Sequence, residues 1–339
     1  MNCKIVILSD KVLAGDARVD IQALSKIMLG YGLNSEEIVI KKQNEKFDDF
    51  SSPTFLFLHD DLIDNFVSEC KIFYSSKSEI VEGEGVLTGD DYPILVLPIE
   101  ADLPVLMKKS LEKIKERFSL PNILTFRMYG QTKDQVEEKL EGISISSDYS
   151  LYSDGLSTDL YLKKNISSEF ISDDEVIINK TFGENIYAQS NMSIAEVATK
   201  MINLSNIKIA INDSFTCGSV ARELLQCGAA RLSSETFSFA IDNGFVKTDT
   251  ESIFRDENEM VNKTSFVLLE KKKADISIVI SGRKVGVYYH INMALGSKKS
   301  IEVYNLSIEG NQQDAIRVAT NSALFNLIKK LRIKDFENL

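Results

Sequence analysis

Histidine and cysteine are scarce in this sequence: two histidines (His59, His290) and four cysteines (Cys3, Cys70, Cys217, Cys227) in 339 residues. No two cysteines have the C-x-x-C spacing, which speaks against a zinc site. Long apolar runs are also missing; none approaches the roughly 20 residues of a membrane span. Basic residues are outnumbered, with Lys and Arg at 39 against 50 Asp and Glu, a net charge of −11. That balance argues against a nucleic-acid partner, because gripping a phosphate backbone takes clustered Lys and Arg. A local basic pocket for one small anion stays compatible with it. No basic-apolar leader precedes "MNCKIVILSD", which reads directly as a first strand. The expectation is a cytoplasmic protein with reduced thiols and no membrane partner.

What is present is the composition of a globular protein: 44% hydrophobic and 26% charged, in a chain long enough for two or three domains. Residues 1–142 alternate strand and helix signals. "KIVIL", "EEIVI", "TFLFL", "YPILVLP" and "ILTFRMY" read as short buried strands. "DIQALSKIMLGYG" stacks Ile21, Leu24, Ile27, Met28 and Tyr31 on one helical stripe, with Gly30 or Gly32 to end it. "LPVLMKKSLEKIKERF" is amphipathic, and "TKDQVEEKLEGI" opens with Thr132 and Gln135 at capping-box spacing. Strands alternating with helices predict an α/β fold, a doubly wound and mostly parallel sheet. Residues 143–185, rich in Ser and Asp, read as a small αβ connector domain. A second large α/β domain occupies 186–339. It opens on the capping box Ser193/Glu196, and it closes on a long helix with Ile316, Ala319, Ala323, Leu327 and Leu331 on one face.

The stretch "NIKIAINDSFTCGSVARELLQ" concentrates the chemistry. An apolar run ends in Asp213, Ser214, Phe215, Thr216, Cys217 and Gly218, and a helical pattern follows. A helix N-terminus carries unpaired amides and the positive end of the dipole, so it can hold an oxyanion or a phosphate. A serine there suits acyl transfer once a base takes its proton. Asp, Ser and Thr at a strand–helix junction are equally ordinary N-caps. Spacing alone leaves both readings open. Cys217 is in the same position: a thiol at a helix start is either reactive or a small packed residue.

The order of elements and several local strings resemble the CinA family over essentially the whole chain. The family's Glu-Ser-Cys-Thr-Gly-Gly after a strand is similar to Asp213–Gly218. Its Tyr-Ser-Asn-x-x-Lys string resembles "AIDNGFVK", which keeps Asn243 and Lys247 without the Tyr. Its alanine-aspartate strand resembles Ala274-Asp275 and "ISIVIS", followed here by Gly282, Arg283, Lys284, Val285 and Gly286 in place of a glycine-rich loop. Its final Gly-x-Arg and Arg-rich helix start match Gly310 and Arg317, with Gln312 where the first Arg stands. In the N-terminal half, "SDKVLAG" keeps Gly15 and puts Lys11 at an acidic position. The loop before "DLID" shrinks to "LHDD", residues 58–61, and only Leu97 and Pro98 survive of Leu-Pro-Gly-Val-Pro.

The resemblance implies a molybdopterin-biosynthesis-like N-terminal domain, a connector, a C-terminal nicotinamide-mononucleotide deamidase domain, and a homodimer. It implies catalytic roles for Ser214 as nucleophile, Lys247 as base and Thr216 as an orienting or donating group. A small nucleotide-like substrate would contact Asp213, Gly218, Asn243, Gly282 and Arg317, the last through its phosphate, and no cofactor or metal serves this domain. The alternative is a degenerate chain that keeps the fold and acts as a binding or structural partner. In the N-terminal domain the resemblance implies metal-assisted cleavage of ADP-ribose. Its motif positions are largely replaced here, and that activity is expected to be lost. Asp10, Asp60 and Asp61 are the residues left to hold a divalent ion; as loop and helix-start carboxylates they need no ion.

Overall fold

The computed structural model describes residues 1–13, 19–47, 49, 51–73, 80–81, 86–88, 93–100, 103–115, 120–164, 173–235 and 250–337. The chain divides into two compact units, Met1–Asn191 and Met192–Leu339.

The first unit runs β1 (Asn2–Leu8), α1 (Asp10–Leu13), α2 (Ile21–Leu29), β2 (Asn34–Lys41), β3 (Thr54–Leu58), α3 (Asp60–Phe73), β4 (Ile80–Val81), β5 (Val86–Thr88), β6 (Pro93–Pro98) and α4 (Leu103–Lys115). These strands form one sheet in the order β2-β1-β3-β6-β5-β4. β2, β1, β3 and β6 are parallel, and β5 and β4 add antiparallel. Side chains of β1 explain why its second half, Ile5–Leu8, is apolar without alternation. Cys3, Ile5 and Ile7 pack with α2 and α4 through Leu24, Met28, Met107 and Leu111. Val6 and Leu8 face the opposite way, where α3 supplies Ile63 and Phe66. Both faces are covered, as the doubly wound expectation required.

The unit continues with β7 (Asn122–Tyr129), α5 (Lys133–Glu141), β8 (Tyr149–Ser153), β9 (Ser157–Lys164), α6 (Asp173–Phe182) and β10 (Ile186–Ala188). These strands make a separate antiparallel sheet, β10-β7-β9-β8. Sequence pattern grouped β7 with the preceding strands; it pairs instead with β9 and β10, because an apolar strand does not encode its partner. The Thr132/Gln135 capping box starts α5 as its spacing predicted. Two buried carboxylates organise this part. Asp174 accepts the amides and hydroxyls of Ser146 and Ser147. Asp159 on β9 exposes no surface; Lys26 Nζ of α2 lies 2.9 Å from its Oδ2, the Tyr161 hydroxyl 3.2 Å, and Arg127 Nε of β7 3.6 Å.

The second unit runs α7 (Ile194–Leu204), β11 (Ile209–Asp213), α8 (Ser219–Gln226), β12 (Leu232–Glu235), α9 (Thr250–Lys272), β13 (Ile276–Val285), β14 (Tyr288–Ser297), β15 (Ile301–Glu309) and α10 (Gln312–Glu337). The sheet order is β12-β11-β13-β14-β15, parallel across β12, β11 and β13 and antiparallel beyond. α9 covers one face through Val261, Leu268 and Leu269, packed on Ala210, Val279 and Ala294. α10 lies on the other: its Lys330 Nζ reaches Glu302 at 2.7 Å, next to Val303 on β15 but pointing away from the α9 cluster. Of the expected stripe, Ala319, Ala323, Leu327 and Leu331 are buried, as the helical period predicted, and Ile316 at its start is half-buried. The Ser193/Glu196 capping box starts α7. No helix among the described residues is long and apolar enough to cross a membrane.

Candidate functional site

The corner between β11 and α8 is built around one carboxylate. Asp213 ends β11 with no exposed surface. Its Oδ1 accepts the amides of Phe215 (3.2 Å) and Thr216 (2.8 Å). Its Oδ2 accepts the Gly218 amide (3.1 Å) and the Thr216 hydroxyl. A carboxylate leaves water only for such charge-assisted partners, so the loop wraps its own donors around the anion. Cys217 and Gly218 follow with φ of 55° and 78°, turning the chain into α8. Glycine takes that conformation freely; a side-chain residue such as Cys217 takes it at a cost of about 1 kcal/mol. The Ser219 hydroxyl then donates to the Thr216 carbonyl at 2.8 Å, and Arg222 Nη2 donates to Ser219 Oγ at 3.0 Å. Burial raises the Glu223 carboxyl of α8 above its usual range, partly offset by Arg222.

Ser214 is half-buried. Both its amide and its hydroxyl donate to the Ile280 carbonyl of β13, each at 2.9 Å. Thr216 is fully buried and its hydroxyl is committed to Asp213. Cys217 is exposed and free. Phe215 points inward, its ring edge-on to Tyr289 with centroids 6.1 Å apart. It lies over Gly282, where a Cβ would stand 2.7 Å from Phe215 Cδ2 and 3.0 Å from the His290 carbonyl oxygen. Gly282 is therefore a mid-strand close approach, paired with Ile291, and the hairpin turn falls at Gly286, φ 63°. On the same side Lys284 Nζ sits 5.3 Å from the Tyr289 ring centroid. Arg283 faces the other way, with Nε 3.2 Å from Glu257 of α9.

The structure thus gathers Asp213, Ser214, Thr216 and Gly218 in one loop and joins Gly282 to it through Phe215. Arg317 is an exposed residue of α10 whose Nη2 lies 3.7 Å from Asp314. Lys247 and Asn243 lie outside the described residues. Sequence reasoning passed over Phe215, Tyr289 and the Ile280 carbonyl. A glycine inside a strand pattern was the available signal, because it marks a close approach. Asp10, Asp60 and Asp61 are exposed at the starts of α1 and α3. Among the described residues no three His, Cys, Asp or Glu side chains group to hold a metal ion.

No family model matches the chain. A competence-damage inducible protein of Caldicellulosiruptor saccharolyticus is 23% identical over 287 residues, which cover 74% of this chain. The match spans 66% of that protein's own length, just under two thirds. A competence-damaged protein (CinA) superfamily crystal structure from Klebsiella pneumoniae matches with a TM-score of 0.34 and 20% identity, over 42% of this chain and 99% of that one. The competence/damage inducible protein CihA of Agrobacterium tumefaciens matches with a TM-score of 0.31 and 14% identity, over 42% of this chain and 97% of that one.

Proposed function

We propose that this chain, a divergent CinA-like protein, acts on a small nucleotide-like molecule at the β11–α8 corner, with the carboxamide of nicotinamide mononucleotide as the group hydrolysed. The observation that supports the reading is Ser214: a half-buried hydroxyl at a strand end, on a loop that the Asp213 carboxylate fixes in place. Its Oγ attacks the carboxamide carbon, the Oγ proton passes to a base, the base hands it to the leaving nitrogen as the C–N bond breaks, and ammonia departs. Water then splits the acyl-serine to release the nicotinate product. Lys247 is the proposed base, Thr216 holds the loop that orients Ser214, and Arg317 pairs with the phosphate. The chain is proposed to do this in the cytoplasm, as a homodimer, without a metal or organic cofactor.

Two features make the proposed turnover slow. Releasing the Ser214 proton from the Ile280 carbonyl costs about 1 kcal/mol, roughly fivefold in rate. The amides of Phe215, Thr216 and Gly218 already serve Asp213 and are not offered to an oxyanion. Removing one such donor from a hydrolase costs roughly a hundredfold or more, so this second effect dominates. The same occupied amides favour a second reading, in which the corner holds a ligand without turning it over. Ammonia release from nicotinamide mononucleotide separates the two. Wild type above a Ser214→Ala background supports hydrolysis; equal signals, with ligand binding retained, support the binding protein.

A further inference from the structure

Three side chains with no part in that function meet in the first unit. Ser9 follows β1, His59 follows β3, and Glu100 lies just past the end of β6. Ser9 Oγ is 2.9 Å from His59 Nε2, and His59 Nδ1 contacts Glu100 Oε1. These are the carboxyl ends of adjacent parallel strands. In the order β2-β1-β3-β6 the chain winds to one side of β1, then crosses to the other. Ser9 and His59 therefore flank the point where the winding reverses, the crevice in which open parallel sheets receive ligands.

We propose that Ser9, His59 and Glu100 form a second reactive centre, independent of Ser214, in which a serine–histidine–glutamate relay accepts the acyl group of a neutral or cationic carboxylic ester. The hydrogen bonds assign each atom a role. An ionised carboxylate only accepts, so Glu100 fixes the proton on His59 Nδ1 and leaves Nε2 a bare lone pair. Nε2 then accepts the Ser9 hydroxyl proton, while a Ser9 lone pair accepts the Val12 amide at 3.3 Å. The Glu100 carboxyl stays below its ordinary range: burial pushes it up, but the bond to His59 and the amides of Glu100 and Asp60 outweigh that. A cap for α1 needs only the Ser9 oxygen; the imidazole and the carboxylate behind it add nothing to a cap and complete a relay.

Burial says how the site works. Ser9 is 0% exposed and His59 6%, whereas the Glu100 side chain is 45% exposed, so the hydroxyl is the innermost member. Next to it along the chain is α1, a single turn with no buried residue. Besides the Val12 amide, α1 is held by the Leu13 amide to the Ser9 carbonyl at 3.3 Å, by the Gln43 amide to Asp10 Oδ1 at 3.4 Å, and by the Val12 side chain packed against the core. Three hydrogen bonds and one packed apolar side chain hold this turn, fewer than hold a core element, and substrate enters when it opens. The rim carries Asp10, Asp60, Asp61 and Glu100 against Lys11, all exposed, which repels phosphorylated esters and admits neutral or cationic ones. In the reaction the Ser9 O–H bond breaks, Oγ bonds to the ester carbonyl carbon, and His59 Nε2 takes the proton and passes it to the leaving alkoxide. Water then attacks the acyl-serine, gives a proton to His59, and the carboxylic acid leaves as Ser9 recovers its hydrogen.

The test uses the full chain and a fluorophosphonate probe, with the adduct located by peptide mass spectrometry. The expected adduct is on Ser9, formed roughly a hundredfold more slowly in His59→Gln. Glu100→Gln changes an exposed side chain to one of the same shape, and it too is expected to slow labelling severalfold. No adduct on Ser9, or an unchanged labelling rate in Glu100→Gln, overturns the proposal. A purely structural Ser9 cap predicts that null result.

Discussion

Phe215 occupies the space that any side chain at Gly282 would need: a Cβ there would meet Cδ2 of the ring at 2.7 Å. The ring is held in turn against Tyr289, and the backbone oxygen of His290 closes the other side at 3.0 Å. Gly282→Ala is therefore expected to destabilise the second unit by about 1–3 kcal/mol, through overpacking. Urea unfolding measures it. A midpoint equal to wild type would mean the ring moves aside freely, and the corner would then not be rigid.

Asp213→Asn keeps the shape and removes the charge. One of its two side-chain positions becomes an amide facing the Gly218 amide and the Thr216 hydroxyl, and two acceptor contacts become donor-to-donor or weaker. The expected loss is about 3 kcal/mol, two charge-assisted bonds at the low end of their range. The same denaturation experiment decides it; a loss below about 0.5 kcal/mol, the scatter of ordinary surface changes, would show that the carboxylate does not hold the loop.

The thiols should separate by environment. Cys217 is exposed on its turn, while Cys3 is buried in β1, where desolvation pushes its pKa up to about 12. Iodoacetamide at neutral pH is expected to modify Cys217 in the native chain and leave Cys3 untouched until unfolding. Modification of Cys3 at a rate matching Cys217 would contradict the placement of β1 in the sheet interior.

Acid should act on Asp174. Burial alone would raise its carboxyl, but the hydroxyls and amides of Ser147 and Ser146 outweigh this and hold it below its ordinary value. A carboxyl depressed in the folded state stabilises above its unfolded pKa of about 3.9, and that contribution fades as pH falls below it toward the folded value. Asp174→Asn is expected to lower stability at pH 7 and to flatten its decline below about pH 4. Parallel pH curves for the two proteins would show that Asp174 contributes nothing to acid sensitivity.

Local signals were legible where local physics decides. The helix starts at Thr132 and Ser193 were readable because a capping box satisfies its amides within a few residues. The buried stripe of α10 was readable because its period is the helix's own. The partner of β7 was not, since pairing is settled by the completed sheet. The family resemblance made Asp213 a ligand contact; that its oxygens are filled by its own loop depends on a turn geometry the residue order does not state. Ser9, His59 and Glu100 belong to three different strand ends, and nothing along the chain joins them.

Asp159 carries a consequence for anyone who would cut this chain into parts. Its nearest cation, Lys26, arrives from α2, beyond the sheet in which Asp159 sits. A fragment beginning at β7 would leave the Asp159 anion with the Tyr161 hydroxyl and with Arg127 in place of its nearest cation, and a fragment ending at α4 would strand the ammonium. The antiparallel sheet is therefore not a portable cassette. Grafting it onto another scaffold would require importing a lysine at the matching height, or replacing the aspartate with a neutral residue of similar size.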